Sequence, residues 1–340
     1  MRAQASRGAR AFGVLSSLLE QRHPPSAAEI VDLSTVEPDQ IQTLLEDEQR
    51  LWLERLRWDT SASGAHVLRA VGERNLAGKA VLLGSRVLAF GYYFIEERRS
   101  LVGGILVSRA PGDAEAGEAV TAALLEAAQS QPDVQRIESQ FISFGLDWLP
   151  AAFRARGFQR HQREFLRQEL SGLRLPPYRT SPFLIDNWSA DQIDEAASIL
   201  ELAHAHRVDG EINELYRSRQ GCSTLLQSIA LNRGCGPVVR SASFVARHSP
   251  TGNPSGLVLT TEISAGHAHL AQVAVSPKAQ GRGLGRQLIL AALASLAREG
   301  FLSASLLVSQ ANDRALSLYQ ALGFDAVLQF PVFAWDRGPS

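Results

Sequence analysis

The feature that most constrains this 340-residue sequence is a basic, glycine-rich turn between an apolar strand and an apolar helix. The turn, residues 280–286, holds three glycines, one glutamine and two arginines in seven residues. Glycine tolerates positive φ and carries no Cβ, so the backbone N–H groups of such a turn can surround an anion. The first turn of the following helix adds unpaired N–H groups and the positive end of its dipole. The pattern therefore predicts a pyrophosphate-binding turn.

The residues around this turn argue against the two commoner phosphate-binding loops. No Gly-Lys-Ser/Thr sequence follows, which argues against a P-loop, and no acidic residue lies about 20 positions on at the end of a second parallel strand, as in a dinucleotide fold. The nearest acidic residue, Glu299, falls at the end of the predicted helix itself. The spacing Gln280-x-x-Gly283-x-Gly285 instead resembles the Q/R-x-x-G-x-G/A signature of the GNAT superfamily, the acyl-CoA-dependent N-acyltransferases.

A second motif lies downstream of this turn. The sequence N-D-R-A-L-S-L-Y-Q-A-L-G-F at residues 312–324 resembles the N-x-x-A-x-x-L-Y-x-x-x-G-F segment of the same superfamily. Asn312 is suited to cap the helix that follows, and Gly323 is suited to end it. The resemblance implies that Asn312 binds the pantetheine part of the cofactor and that Tyr319 protonates the departing thiolate. An amphipathic core tyrosine is the alternative interpretation of Tyr319.

The resemblance implies acetyl-CoA as co-substrate and no metal. The predicted cofactor-binding residues lie at the end of the strand, in the turn, at the start of the helix and at the cap of the next helix: Val273, Ala274, Val275, Gln280, Gly281, Arg282, Gly283, Leu284, Gly285, Arg286 and Asn312.

The sequence identifies less clearly the group that removes the proton of the acceptor amine. In the histone acetyltransferase branch of this superfamily a glutamate takes this role, six residues before the position of Val275, and that residue is His269 here. The ordinary pKa of a histidine, about 6.5, suits a base at neutral pH. His269 could also only line the sheet, and His267, Glu262 or a chain of water molecules could accept the proton instead.

The acidic stretch at residues 209–214 follows the first helix of the second half. In the superfamily this region covers the acceptor pocket, where carboxylates could attract a cationic amine. Charged loops are more often simply hydrated, so we interpret this stretch as a solvated loop.

The composition excludes several other classes of protein. A hydrophobic content of 45% and a charged content of 20% are typical of a soluble globular protein. The balance of 34 basic and 35 acidic residues gives no excess of positive charge that would indicate nucleic-acid binding. Cys222 and Cys235 are too few for a zinc site or a disulfide framework, which favours reduced thiols and a cytoplasmic location. No apolar run reaches the length of about 18 residues that a membrane span needs. A homodimer is compatible with these features.

The chain also contains a degenerate internal repeat. In the first half an apolar strand ends at Val107, a helical stretch follows, and a later segment ends at Gly157. The matching landmarks of the second half are Val275 and Gly323. The first pair lies 168 positions apart and the second pair 166, so two independent landmarks agree within two residues. We therefore predict two tandem copies of one architecture.

The first copy lacks the residues that would bind a cofactor. In the same register Glu115 replaces Gly283, and Asp113 lies beside it in the turn. Two carboxylates there repel a doubly charged pyrophosphate. Tyr319 corresponds to Phe153, which has no proton to donate. We predict that only the second copy binds acetyl-CoA.

Both halves combine strands with crossover helices and thus predict the α+β class: two tandem GNAT-like domains, each a mixed, mostly antiparallel sheet flanked by helices. Pro, Gly and Ser are frequent at residues 171–182, which predicts a linker. The basic N-terminus has only a marginally apolar stretch and no small-residue cleavage site, so it is interpreted as a disordered leader. The predicted division is a leader at 1–25, a degenerate domain at 26–170, the linker and a catalytic domain at 183–340.

Together these features predict an N-acetyltransferase that transfers an acetyl group from acetyl-CoA to a primary amine of a small molecule, peptide or protein by direct attack. Two alternatives remain. One is an acyl-CoA-binding sensor without turnover, and the other is a tandem acetyltransferase of the mycothiol synthase type. Tyr319 and a candidate base favour an enzyme over a sensor, and no residue indicates the acceptor.

Overall fold

A computed structural model describes residues 28–110, 112–173, 181–232 and 234–338. The predicted leader and most of the predicted linker lie outside these ranges. No helix in the described ranges is long and apolar enough to cross a membrane.

The first half contains six strands and four α-helices within its described residues. In chain order these are β1 (Ala28–Asp32), α1 (Pro38–Leu56), α2 (Ser61–Gly72), β2 (Ala77–Leu83), β3 (Arg86–Glu96), β4 (Arg99–Val107), α3 (Ala114–Gln129), β5 (Arg136–Ser139), α4 (Leu149–Ala155) and β6 (Gln159–Glu169).

The second half repeats this order, with one additional short helix. Its elements are β7 (Phe183–Asn187), α5 (Ile193–His204), α6 (Val208–Ile212), α7 (Arg219–Ala230), β8 (Phe244–His248), β9 (Pro254–Ser264), β10 (His267–Val275), α8 (Leu284–Arg298), β11 (Ser303–Ser309), α9 (Asp313–Gln320) and β12 (Asp325–Asp336). The shared order confirms both the internal repeat and the α+β class predicted from the sequence.

The strands of the described residues form one continuous sheet, which the sequence analysis did not predict. Its order is β1-β2-β3-β4-β5-β12-β6-β11-β10-β9-β8-β7. The β4–β5 and β10–β11 pairs are parallel, and the other neighbours are antiparallel. The sheet is therefore mixed and mostly antiparallel in each half.

The two halves exchange their last strands at the centre of this sheet. Strand β12 pairs with β5 of the first half through residues 333–336. Strand β6 of the first half pairs with the whole of β11 in the second. The junction is covered by an apolar cluster with members from both halves, including Trp58, Phe165, Ile263 and Phe330. Neither half completes its sheet without the other.

Each half has a split between its two parallel strands. Strand β10 pairs with β11 only as far as His269 and Ser305, whereas its pairing with β9 continues to Val275. A β-bulge between Leu270 and Gln272 accompanies this divergence, and bulges increase the local twist of a strand. Strand β4 separates from β5 after Val102 in the same way. The fold therefore creates two clefts of similar origin.

Candidate active site

The glycine-rich turn follows the end of β10 and enters α8 with the geometry that its sequence predicts. Gly281 and Gly283 both have φ of +79°, the left-handed region that favours glycine. Gly283 is the cap residue directly before α8. Its backbone and the first N–H groups of the helix therefore lie where the sequence analysis expects an anion.

Gln280 and Arg314 join this turn to its neighbours. The Gln280 side chain donates from Nε2 to the carbonyl oxygen of Val275 at 3.0 Å. Its Oε1 accepts a hydrogen bond from Nη1 of Arg314, on α9, at 3.1 Å. The turn is held in shape by side chains, and Arg314 brings a positive charge that the sequence analysis did not single out.

A cavity of about 640 Å³ extends from this turn toward α9. Ten of the eleven predicted cofactor-binding residues line it, together with Tyr319 and residues of α5 and α6. Arg282 is not among the lining residues, because its guanidinium lies over the ring of Phe183 at 5.2 Å. Cofactor binding by all eleven residues stays a prediction.

The exposed edge of β10 forms one wall of the cleft. Beyond His269 this edge has no strand neighbour on the side of β11 among the described residues. Backbone N–H and C=O groups need hydrogen-bond partners, so this edge can bond the amide groups of an extended ligand. Asn312 lies opposite, where its Oδ1 accepts from the backbone N–H of Ala315 at 3.3 Å. The predicted cap of α9 is thus confirmed, and so is the end of this helix before Gly323, at φ of +92°.

A second cavity, of about 260 Å³, continues from the first. The two share several wall residues, namely His204, Asp209, Val273, Asn312, Ala315 and Tyr319. Gln140 and Arg163, which belong to the first half of the chain, also line the second cavity. The position of β6 beside β11 brings Arg163 here, so both halves build this part of the site.

Tyr319 lies between the two cavities and is only 7% exposed. Burial raises the pKa of its hydroxyl well above the ordinary value, and the carboxylate of Asp209 raises it further. The hydroxyl is therefore protonated at neutral pH, as a proton donor must be, but the raised pKa makes it a weaker acid than a thiol.

His269 lines the second cavity but is deeply enclosed, with 4% exposure. Its ring lies 4.8 Å from that of Trp58 and 6.0 Å from that of Phe165, and its Nδ1 is 2.9 Å from the hydroxyl of Ser305. Burial lowers the pKa of His269 to about 3. Such an imidazole is neutral at pH 7 but holds an added proton weakly. The base role of His269 stays a prediction, and this burial opposes it.

The other two candidate bases lie away from the cavities described above. The Nδ1 of His267 is 2.8 Å from the hydroxyl of Ser303 at the start of β10, and burial lowers its pKa. Glu262 accepts a hydrogen bond from the backbone N–H of Gly266 at 3.2 Å. Neither residue lines the two cavities.

The acidic stretch was wrongly interpreted as a solvated loop, at least for Asp209. Its carboxylate accepts from the hydroxyl of Ser309 at 2.8 Å and lies 3.3 Å from Nδ1 of His204. Nη2 of Arg163 is 3.6 Å away. Spacing alone gave no signal for this cluster, because its members come from four separate elements.

Comparison with known proteins agrees with this geometry. Residues 214–324 match the sequence model described as the acetyltransferase (GNAT) family. The matched residues include the glycine-rich turn, Asn312 and Tyr319.

Similarity to curated proteins is confined to a short segment. A mycothiol acetyltransferase of Renibacterium salmoninarum is 44% identical over 63 residues, 18% of this chain and 19% of that protein. One from Kocuria rhizophila is 45% identical over 53 residues, 16% and 18% of the two chains. The chain thus aligns with about a fifth of the length of these relatives.

Solved structures extend the similarity in fold to nearly the whole chain. A tandem GNAT protein from the clavulanic acid biosynthesis pathway has a TM-score of 0.60 and 18% identity, covering 92% of this chain and 99% of its own. A GCN5-related N-acetyltransferase from Sphaerobacter thermophilus has a TM-score of 0.59 and 15% identity, covering 92% and 97%. At this identity the likeness shows the fold alone, which is that of a tandem GNAT protein.

Proposed function

We propose that the protein transfers an acetyl group from acetyl-CoA to a primary amine, and that the reaction takes place in the second half. The observation that carries this proposal is the single cavity system that joins the glycine-rich turn, the free edge of β10 and the hydroxyl of Tyr319.

Each part of the cofactor has a matching surface in this cavity. The turn and the start of α8 suit the pyrophosphate, because helix N-termini bind anions. Arg286 and Arg314 line the same end of the cavity and carry complementary charge. The free edge of β10 suits the amides of the pantetheine arm, which directs the thioester toward the cavity that Tyr319 shares.

Direct attack then needs two proton transfers. The acceptor amine must be neutral when it attacks the thioester carbonyl, and it loses a proton as the C–N bond forms. As the C–S bond breaks, the hydroxyl of Tyr319 is placed to protonate the sulfur. A smaller contiguous cavity of about 260 Å³ leaves room for a compact acceptor beside these groups.

The relatives sharpen the choice of acceptor. Because the matched proteins are named mycothiol acetyltransferases, their acceptor is the first to test, followed by other small amines and by peptides. The short matched segment makes this a proposal about chemistry in the second half only.

Two measurements on the full chain test the proposal. Isothermal titration calorimetry should show one acetyl-CoA site per chain. Release of free thiol from acetyl-CoA should accelerate with at least one amine of the panel. Binding without turnover of any amine would favour a sensor, and the absence of acetyl-CoA binding would contradict the proposal as a whole.

A further inference from the structure

One histidine in the shared wall of the two cavities has no role in the proposal above. His204 is the last residue of α5, and its Nδ1 lies 3.3 Å from Oδ2 of Asp209 in α6. The other carboxylate oxygen of Asp209 accepts from Ser309 at 2.8 Å and faces Arg163 at 3.6 Å. Ser309 on β11 and Arg163 on β6 thus fix the carboxylate, which in turn contacts the imidazole.

The second nitrogen of this imidazole is unpaired. Nε2 of His204 is buried and has no hydrogen-bond partner among the described residues. Buried polar atoms without a partner are rare in native proteins and call for an explanation. The side chain lines both cavities, so a small rotation of the ring would let a bound acceptor amine supply the partner that this buried nitrogen lacks.

The ring is also held in a fixed orientation. It stacks in a tilted arrangement on Tyr216 with 4.8 Å between centroids. Burial raises the pKa of Tyr216 to about 12, so its hydroxyl remains protonated and donates to Oε1 of Gln272 on β10 at 3.0 Å. The ring is therefore positioned against the same strand that forms the wall of the cofactor cleft.

The charge of Asp209 determines which nitrogen carries the proton. Burial raises the pKa of Asp209, but His204, Arg163 and Ser309 together lower it to about 2. The group is a carboxylate at neutral pH and lies 3.3 Å from Nδ1, so it favours the tautomer of a neutral imidazole that has its proton on Nδ1 and its lone pair on Nε2. Asp209 and Tyr216 contact this ring, and Arg163, His269 and Tyr319 line the same second cavity.

We propose that His204 is the base that accepts the proton of the acceptor amine, with Asp209 as its positioning residue. This inference rests on the proposed acetyl transfer. The amine nitrogen forms the C–N bond and gives its proton to Nε2, and the C–S bond breaks as the sulfur takes the proton of Tyr319. The proton that His204 gains equals the one that Tyr319 loses, and exchange with solvent water restores both residues.

The first test is kinetic and compares two histidine variants of the full chain. With an amine from the panel that the wild type acetylates, His204→Gln should lower kcat at least about 100-fold, the ordinary contribution of a general base. The affinity for acetyl-CoA in calorimetry should stay within about twofold. His66→Gln changes an exposed histidine of α2 and should retain wild-type kinetics.

A rescue experiment separates a base from a wall residue. His204→Ala leaves space for a free imidazole at the same place, so added imidazole should restore part of the turnover. The same addition should not help Tyr319→Phe. A kcat of His204→Gln within about threefold of wild type would overturn the proposal, and so would a parallel loss of acetyl-CoA affinity without imidazole rescue.

A measurement that needs no acceptor keeps this proposal distinct from the proposed function. In ¹⁵N-resolved NMR at neutral pH, His204 should carry its proton on Nδ1, and Asp209→Asn should change this tautomer. A wild-type chain that turns over no amine would contradict the proposed activity, whereas a His204 protonated on Nε2 would contradict the base.

Discussion

The two clefts of this chain share a backbone plan but differ in what fills them. Both arise where parallel strands diverge, after Val102 in the first half and after His269 in the second. In the first half Asp113 enters the turn and forms an ion pair with Arg86 at 2.7 Å. In the second half the corresponding turn is open and carries no carboxylate. The strand arrangement is thus the same in both halves, whereas the charge of the turn differs.

The position of Tyr319 shows the same contrast at a single residue. Its counterpart Phe153 is fully buried, and its ring stacks on Phe333 at 4.1 Å. Phe333 belongs to β12, the strand that the second half contributes. The same position therefore lines two cavities in the second half and packs between the two halves in the first.

Charge separates the two clefts further. The first cleft retains a cavity of about 360 Å³ that includes Glu48 and Arg109. Burial raises the pKa of Glu48 above its ordinary value. A hydrogen bond from Trp52 at 3.0 Å and the charge of Arg109 offset only part of this rise. Arg109 lies 3.9 Å from Glu48, so its charge is already paired with a carboxylate of this chain. In the second cleft Arg286 has no such partner among the described residues.

The largest effect should come from making the second cleft resemble the first at its tyrosine. Tyr319→Phe removes the proton donor and should lower kcat by about 100-fold or more, while acetyl-CoA affinity changes little, because the hydroxyl acts mainly in the transition state. Tyr93→Phe alters a tyrosine of β3 that only accepts a hydrogen bond from Gln131. It should leave turnover unchanged. Equal kcat values for the two variants would make Tyr319 a structural residue.

The strand exchange predicts a large loss of stability from one aromatic residue. Phe333→Ala removes a fully enclosed ring and should lower the free energy of unfolding by about 3–5 kcal/mol. Because β12 joins both halves, hydrogen exchange should accelerate in β5 as well as in β12. Leu184→Ala, at a side chain that is 58% exposed, serves as the control in urea unfolding. Retained protection of β5 would show that the halves are independent.

Matched glycine variants test whether only one cleft binds cofactor. Gly283→Glu imposes a side chain at φ of +79° and adds the charge found at Glu115, so the acetyl-CoA dissociation constant should rise at least about tenfold. Gly112→Glu imposes the same change at φ of +93° in the first turn and should leave affinity unchanged. Calorimetry that shows two equivalent sites in the wild type would break this distinction.

The sequence predicted well those features that depend on neighbouring residues. The glycine turn, the cap by Asn312 and the helix end before Gly323 are local, since each depends on backbone conformation within a few positions. The internal repeat could also be predicted from the sequence, because its two copies keep the same spacing between corresponding residues. These elements were sufficient to predict the fold of each half and the conformation of the glycine-rich turn.

The residues around the proposed acceptor pocket could not be predicted from the sequence, because their contacts do not follow from spacing along the chain. His204 and Asp209 are close in sequence, but only burial distinguishes this pair from a solvated loop. Arg163 reaches the same cavity because β6 lies beside β11, and nothing local indicates that exchange. His269 was chosen by its position on β10, and the enclosure by Trp58 that lowers its pKa comes from the other half.

The smallest predicted effect tests whether the first half takes part in the acceptor site. Arg163 lines the second cavity, and its Nε is buried without a partner among the described residues. Arg163→Gln removes a charge 3.6 Å from Asp209 and should raise the KM of the acceptor about tenfold, equivalent to about 1.4 kcal/mol, with acetyl-CoA affinity unchanged. Arg160→Gln, at an exposed position of the same strand, should change neither quantity. If both variants have the wild-type KM, the first half shapes the sheet but not the acceptor site.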